Sequence, residues 1–208
     1  MPLVEKYTNE YQSTIAIWRI DESIDTFTDL ANKQGIDLRK EHYKNESQHR
    51  EYLASRLALK SIDINFRVNE STEKKAPSLV NNDTKISISH CKKMCAVISN
   101  PIKPVGIDIE VVSPRILSIS ERFMNVDELQ FLTPSDNLKM QFIMWSCKES
   151  IFKKYHSLHL DFRKHMRILP FNLETCEYVF CEISCQHIHI REKISVQFFD
   201  DVVLTHTR

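Results

Sequence analysis

Apolar and polar positions change their period several times along this chain, and each change marks an element. Residues 15–20 read as a strand, and residues 21–30 open on Asp and Ser cap candidates and predict a short helix. Residues 41–62 predict a first long helix, because Leu53, Ala54, Leu57 and Ala58 fall at spacings of three and four. Residues 70–82 are polar, contain Lys74, Lys75 and Pro77, and predict a loop or hairpin. Residues 86–90 alternate as Ile-Ser-Ile-Ser-His and predict a strand ending at His90, with another strand at 95–98. After a turn at Pro101 and Pro104, residues 105–112 predict a strand with apolar groups at 105, 107, 109 and 111. Pro114 ends it. Residues 118–132 read as a helix with Ser120 as a cap, and residues 136–158 as a second long helix capped by Asp136. Short strands follow at 163–169, 177–184 and 187–199, with a last edge at 202–205.

Strands, one long helix, then more strands occur twice over. The expected class is therefore α+β, with two similar subdomains, each a small, mainly antiparallel sheet packed on one long helix. The prolines place the boundary so that residues 1–103 and 104–208 form the two parts. A chain of 208 residues has room for one large domain or two small ones, and can bury a core without disulfide staples.

Composition narrows the chemistry. Formal net charge is zero, so nothing favours bulk attraction to nucleic acid. The glycines are Gly35 and Gly106, too few for a Gly-rich phosphate loop, so any phosphate must be held by side chains, a metal or helix N-termini. The N-terminus is charged from Glu5 onward, unlike a signal peptide, and no apolar run has membrane length, so a cytoplasmic protein with reduced cysteines is expected. Cys176, Cys181, Cys185, His187 and His189 match no common zinc spacing; their alternating context suits buried strand thiols.

Two segments carry the candidate chemistry: Val-Gly-Ile-Asp-Ile-Glu at 105–110, and Trp-Ser-Cys-Lys-Glu-Ser-Ile-Phe-Lys at 145–153. On a strand, Asp108 and Glu110 share one face while Ile107 and Ile109 share the other. Two readings stand open for that acidic face: solvated carboxylates, or a site for a divalent cation that relieves their repulsion. On the helix, Trp145, Glu149, Phe152 and Lys153 share a side. Glu149 and Lys153 are spaced as a favourable pair, which at a surface contributes only about 0.3–0.5 kcal/mol; the flanking aromatics place them near the buried boundary. Ser89 and His90 face opposite sides of a strand and are poorly placed as nucleophile and base, so phosphate contact is their better role. Arg50, Lys74 and Lys75 are further candidate phosphate ligands.

The two motifs, some forty residues apart, resemble the 4′-phosphopantetheinyl transferase superfamily, in its surfactin-synthetase-activating type. By motif the resemblance covers about residues 45 to 155. It implies a monomer of two similar halves with pseudo-twofold symmetry, an N-terminal part on the coenzyme A side and a C-terminal part with the metal strand and catalytic helix. It also implies the reaction: transfer of phosphopantetheine from coenzyme A to a serine of an apo acyl or peptidyl carrier protein, with no nucleic-acid or membrane partner. Carried over by position, Asp108, Glu110 and Glu149 bind Mg2+; Glu149 and Lys153 are catalytic; and Arg50, Lys75, Ser89, His90 and Lys153 bind coenzyme A. Ala76 stands where the family's lysine falls, leaving Lys75 or Lys74 to replace it. The segment holding Arg115, Ile116, Leu117, Arg122, Phe123 and Met124 corresponds to the carrier-docking region, with Phe123 expected in the core. The alternative is a degenerate relative that binds coenzyme A or carrier protein without turnover; the retained acids and Lys153 weigh against it.

Overall fold

The alternating segments pair into two antiparallel sheets, and each long helix lays its apolar side on one of them. The protein is described by a computed structural model at residues 3–38, 43–63, 67–69, 77–80, 83–132 and 137–208; Lys74, Lys75, Ala76 and Asp136 lie outside the described residues. The chain divides into two compact units, Met1–Val105 and Gly106–Arg208.

In the first unit the sheet order is β1-β2-β6-β5, from strands Leu3–Thr8, Thr14–Arg19, Met94–Asn100 and Lys85–His90. Helix α1, Ile24–Lys33, starts where the Ser23 hydroxyl accepts from the Thr26 amide. Helix α2, Glu46–Ile62, starts at Asn45, whose side chain accepts from the Gln48 amide. Its buried stripe of Leu53, Ala54, Leu57 and Ala58 joins Phe27, Trp18 and Val97 in one core. A short hairpin pairs β3, Val68–Asn69, with β4, Ser78–Leu79. The β1 strand leaves little trace in the sequence because it is an edge strand with mostly exposed side chains, so its apolar signal is weak.

The second unit has sheet order β7-β11-β10-β9-β8, from Ile107–Val111, Val202–Thr207, Ile188–Phe199, Tyr178–Cys185 and Met166–Ile168. The expected edge at 202–205 is instead an interior strand, buried at every position and paired on both sides. The segment expected as one helix over 118–132 is broken into a 3-10 turn at Pro114–Ser118, helix α3 at Ser120–Phe123 and helix α4 at Val126–Gln130. Asn125 breaks it: its side chain accepts from the Glu128 amide while the Glu128 carboxylate accepts from the Asn125 amide. Helix α5, Asn137–Lys154, packs on β7 and β11 with Phe142, Ile143, Cys147 and Ile151 in the core.

The approach of α5 to β7 is unusually close. A Cβ on Gly106 would sit 1.8 Å from the Ser150 carbonyl oxygen and 2.9 Å from the Lys154 amide nitrogen, so only glycine fits. Small hydroxyl residues line the same seam. Ser146 and Ser150, one turn apart, both meet the Thr205 hydroxyl, at 3.0 and 2.7 Å.

None of the six cysteines forms a disulfide. No helix among the described residues is long and apolar enough to cross a membrane.

Candidate functional site

Strand β7 presents Asp108 and Glu110 toward α5, while Ile107 and Ile109 are buried on its other face. Helix α5 meets the acids with two groups. Ser146 Oγ donates to Asp108 Oδ2 at 2.8 Å, and Lys153 Nζ donates to Asp108 Oδ1 at 2.8 Å and to the Ile107 carbonyl at 3.0 Å. Lys153 thus reaches across to the strand acid; Glu149, the partner expected from spacing, is not its hydrogen-bond acceptor here. The reason is depth: the Asp108 side chain is 5% exposed, and a carboxylate that far from water must be compensated by charge-assisted bonds.

Glu149 sits one turn before Lys153. Burial first, and then the Asp108 and Glu110 carboxylates, push its pKa up to about 7, against the opposing pull of Lys153. Glu110 is also raised, by burial first and by Asp108 second, with Arg115 and Lys153 opposing. Three carboxylates crowded around the Lys153 ammonium carry surplus negative charge whenever all of them are ionised. That donor set suits a hard divalent cation, which takes carboxylate oxygens. As the side chains stand, however, no three His, Cys, Asp or Glu groups among the described residues are gathered as a coordination shell. Asp108 is turned toward Ser146 and Lys153 instead.

Aromatic packing sets the floor beneath these groups. Trp145 meets Phe123 edge-on at 5.3 Å and Phe162 at 5.4 Å, and Phe152 meets Phe162 at 5.5 Å. Two contributors stand outside the residues marked by the sequence: Ser146, which orients Asp108, and Ser150, which donates to the Thr205 carbonyl at 3.0 Å. Their signal was present: two serines four apart on a helix, with Gly106 immediately before the acidic strand.

In the first unit, the remaining candidates lie where β5 ends and on α2. His90 Nδ1 is 3.1 Å from Glu51 Oε2, and Ser89 is buried beside it in the chain. Arg50, adjacent to Glu51, has its Nη1 3.4 Å from the Glu22 carbonyl and its Nε 3.7 Å from Glu46. Among the described residues, Arg50 and His90 therefore each lie against a carboxylate, Glu46 and Glu51. Arg115 and Arg122, after β7, are exposed, as is Leu117, whereas Ile116, Phe123 and Met124 belong to the core. Val126 and Leu129, on the following helix α4, are further exposed apolar groups the sequence did not mark.

Comparison with known proteins gives the context. Residues 104–205 match a family model described as the 4′-phosphopantetheinyl transferase superfamily. The chain is 34% identical over 136 residues to a 4′-phosphopantetheinyl transferase of Bacillus subtilis, covering 57% of this chain and 58% of that protein. It is 33% identical over 109 residues to the 4′-phosphopantetheinyl transferase gsp of Aneurinibacillus migulanus, covering 50% and 43%. A 4′-phosphopantetheinyl transferase of Bacillus pumilus, psf-1, is 45% identical over 53 residues, covering 24% and 23%. The chain spans about half the length of the first two of these curated relatives, 58% of the one and 43% of the other.

Proposed function

We propose that this chain, whose residues 104–205 match the family model of the 4′-phosphopantetheinyl transferase superfamily, moves phosphopantetheine from coenzyme A to a serine of an apo acyl or peptidyl carrier protein. One observation supports the reading: on β7 and α5, Lys153 bonds to Asp108, and Glu110 and Glu149 lie within electrostatic reach of both.

The chemistry follows from these groups. The carrier serine oxygen attacks the phosphorus that bears the pantetheine arm. The bond from that phosphorus to the bridging oxygen breaks, and adenosine 3′,5′-bisphosphate leaves with the electron pair. Glu149 accepts the serine proton, directly or through one water. Lys153 places its ammonium beside Asp108 and offsets charge on the departing bisphosphate. Ser146 holds Asp108 in its rotamer. Asp108, Glu110 and Glu149 would hold a magnesium ion, which supplies charge neutralisation on the pyrophosphate. Ser89, His90 and Arg50 take the 3′-phosphate side of coenzyme A, with Lys75 or Lys74 as a further coenzyme A contact; for His90 and Arg50 that means exchanging Glu51 and Glu46 for phosphate oxygens. The protein acts as a cytoplasmic monomer in this reading.

The test is release of adenosine 3′,5′-bisphosphate from coenzyme A, followed by chromatography with and without apo carrier protein. Release that requires the apo carrier and magnesium supports a transferase. Binding of coenzyme A without release would make the chain a degenerate relative.

A further inference from the structure

Lys148 is the residue beside the candidate base, and the transfer chemistry does not use it. Its side chain is fully buried, as is that of Glu128, and the two meet at 2.7 Å. Successive helix residues are turned by about 100°, so Lys148 points into the core while Glu149 points to the acidic strand. The Lys148 ammonium donates to Glu128 Oε2, to the Phe123 carbonyl at 2.7 Å, and to the Phe162 and Met166 carbonyls at 2.9 and 3.2 Å. Glu128 in turn accepts from the Asn125 amide at 2.8 Å and the Ile168 amide at 2.7 Å. One ion pair therefore joins α5 to the end of α3, to α4, to the loop at Phe162 and to β8.

Stability alone does not account for it. Replacing a buried ion pair with apolar groups of similar volume is often neutral or stabilising, because two charges have lost their hydration. What the pair gives is position. α3 and α4 are helices of 4 and 5 residues, too short to hold themselves. Together with the preceding 3-10 turn they carry exposed Arg115, Leu117, Arg122, Val126 and Leu129, with the exposed acids Glu121 and Asp127 among them. The apolar groups and the two arginines would face the partner that the carrier-protein reading supplies.

We propose that the Lys148–Glu128 pair is a positioning device that fixes this surface relative to Glu149, so that a docked carrier serine arrives at the base in register. This inference rests on the carrier-protein reading. A misplacement of about 1 Å can cost about 10²-fold in rate even when it originates away from the reacting atoms.

The test uses the full chain and three variants: Lys148→Met, Glu128→Gln, and the two combined. The combined variant leaves no unpaired buried charge and guards against simple unfolding, and Glu128→Gln keeps an oxygen for one of the two backbone amides that Glu128 accepts from. Probes are a recombinant apo acyl carrier protein and an apo peptidyl carrier domain, with coenzyme A affinity measured separately. In folded variants, kcat/KM for the carrier should fall by about 10–10²-fold. Coenzyme A affinity should stay within about twofold, and amide exchange over residues 114–130 should accelerate. Wild-type carrier kinetics in a folded combined variant would overturn the proposal. So would equal loss of coenzyme A affinity and carrier kinetics, which marks a general structural role, or failure of all three variants to fold. If the wild-type chain transfers nothing to either probe, the carrier-protein reading itself fails, and that result precedes any variant.

Discussion

Replacing Glu149 by Gln should stabilise the protein in the absence of divalent metal, and only at higher pH. The carboxyl is raised from 4.5 to about 7 by burial and by its acidic neighbours. A group raised on folding contributes its full stability below its unfolded pKa and loses it as pH climbs through the folded pKa. Wild-type protein therefore loses stability between about pH 4.5 and pH 7 from this group. At about 1.4 kcal/mol for each pH unit between the unfolded and folded values, the complete difference is about 3 kcal/mol. Glu149 keeps some contact with solvent, and screening reduces that to about 2 kcal/mol. Glutamine has the same shape and never ionises, so it escapes the loss. Urea denaturation of both proteins in chelator, at pH 5 and pH 8, reads the effect. The variant's advantage at pH 8 should exceed that at pH 5 by about 2 kcal/mol. Magnesium should then stabilise the wild type more than the variant. An advantage of the same size at both pH values would refute the charge crowding on which the site rests.

Other expectations follow from the same contacts. Gly106→Ala should destabilise by about 3 kcal/mol or more, because the new methyl meets backbone atoms of α5 that cannot rotate aside; an unchanged melting temperature would contradict the close seam. Lys153→Ala should lower kcat by about 10²–10⁴-fold while metal-dependent coenzyme A binding persists, and an unchanged kcat would reduce it to a partner of Asp108. His90→Ala and Arg50→Ala should each weaken coenzyme A by about 1.5–3 kcal/mol, and dephospho-coenzyme A by less; calorimetry showing equal weakening would remove both from the 3′-phosphate.

The two motifs are legible in the sequence because strand and helix periods fix which side chains share a face. Asp108 and Glu110 had to project together, and Glu149 had to precede Lys153 by one turn. Partner choice was not legible. Lys153 bonds to Asp108 because the strand acid is deeper than the helix acid, and depth follows from packing. The break at Asn125 is hidden because its capping box lies inside an otherwise helical pattern, where the apolar spacing of residues 118–132 masks it. Strand β11 reads as an edge in the sequence because its position between β7 and β10 depends on pairings far apart along the chain. The role of Lys148 is equally hidden. A lysine on a long helix reads as solvated, and only the tertiary structure places four acceptors around it.

Intact-mass spectrometry tests the central claim most directly. An apo carrier protein is incubated with coenzyme A, magnesium and this protein, alongside parallel reactions with Asp108→Ala. The wild type should add one phosphopantetheine to the carrier, and the variant should add none. No mass gain on any apo acyl or peptidyl carrier protein with folded wild type, or an equal gain with Asp108→Ala, would contradict the assignment of this acidic strand and helix as a phosphopantetheinyl transfer site.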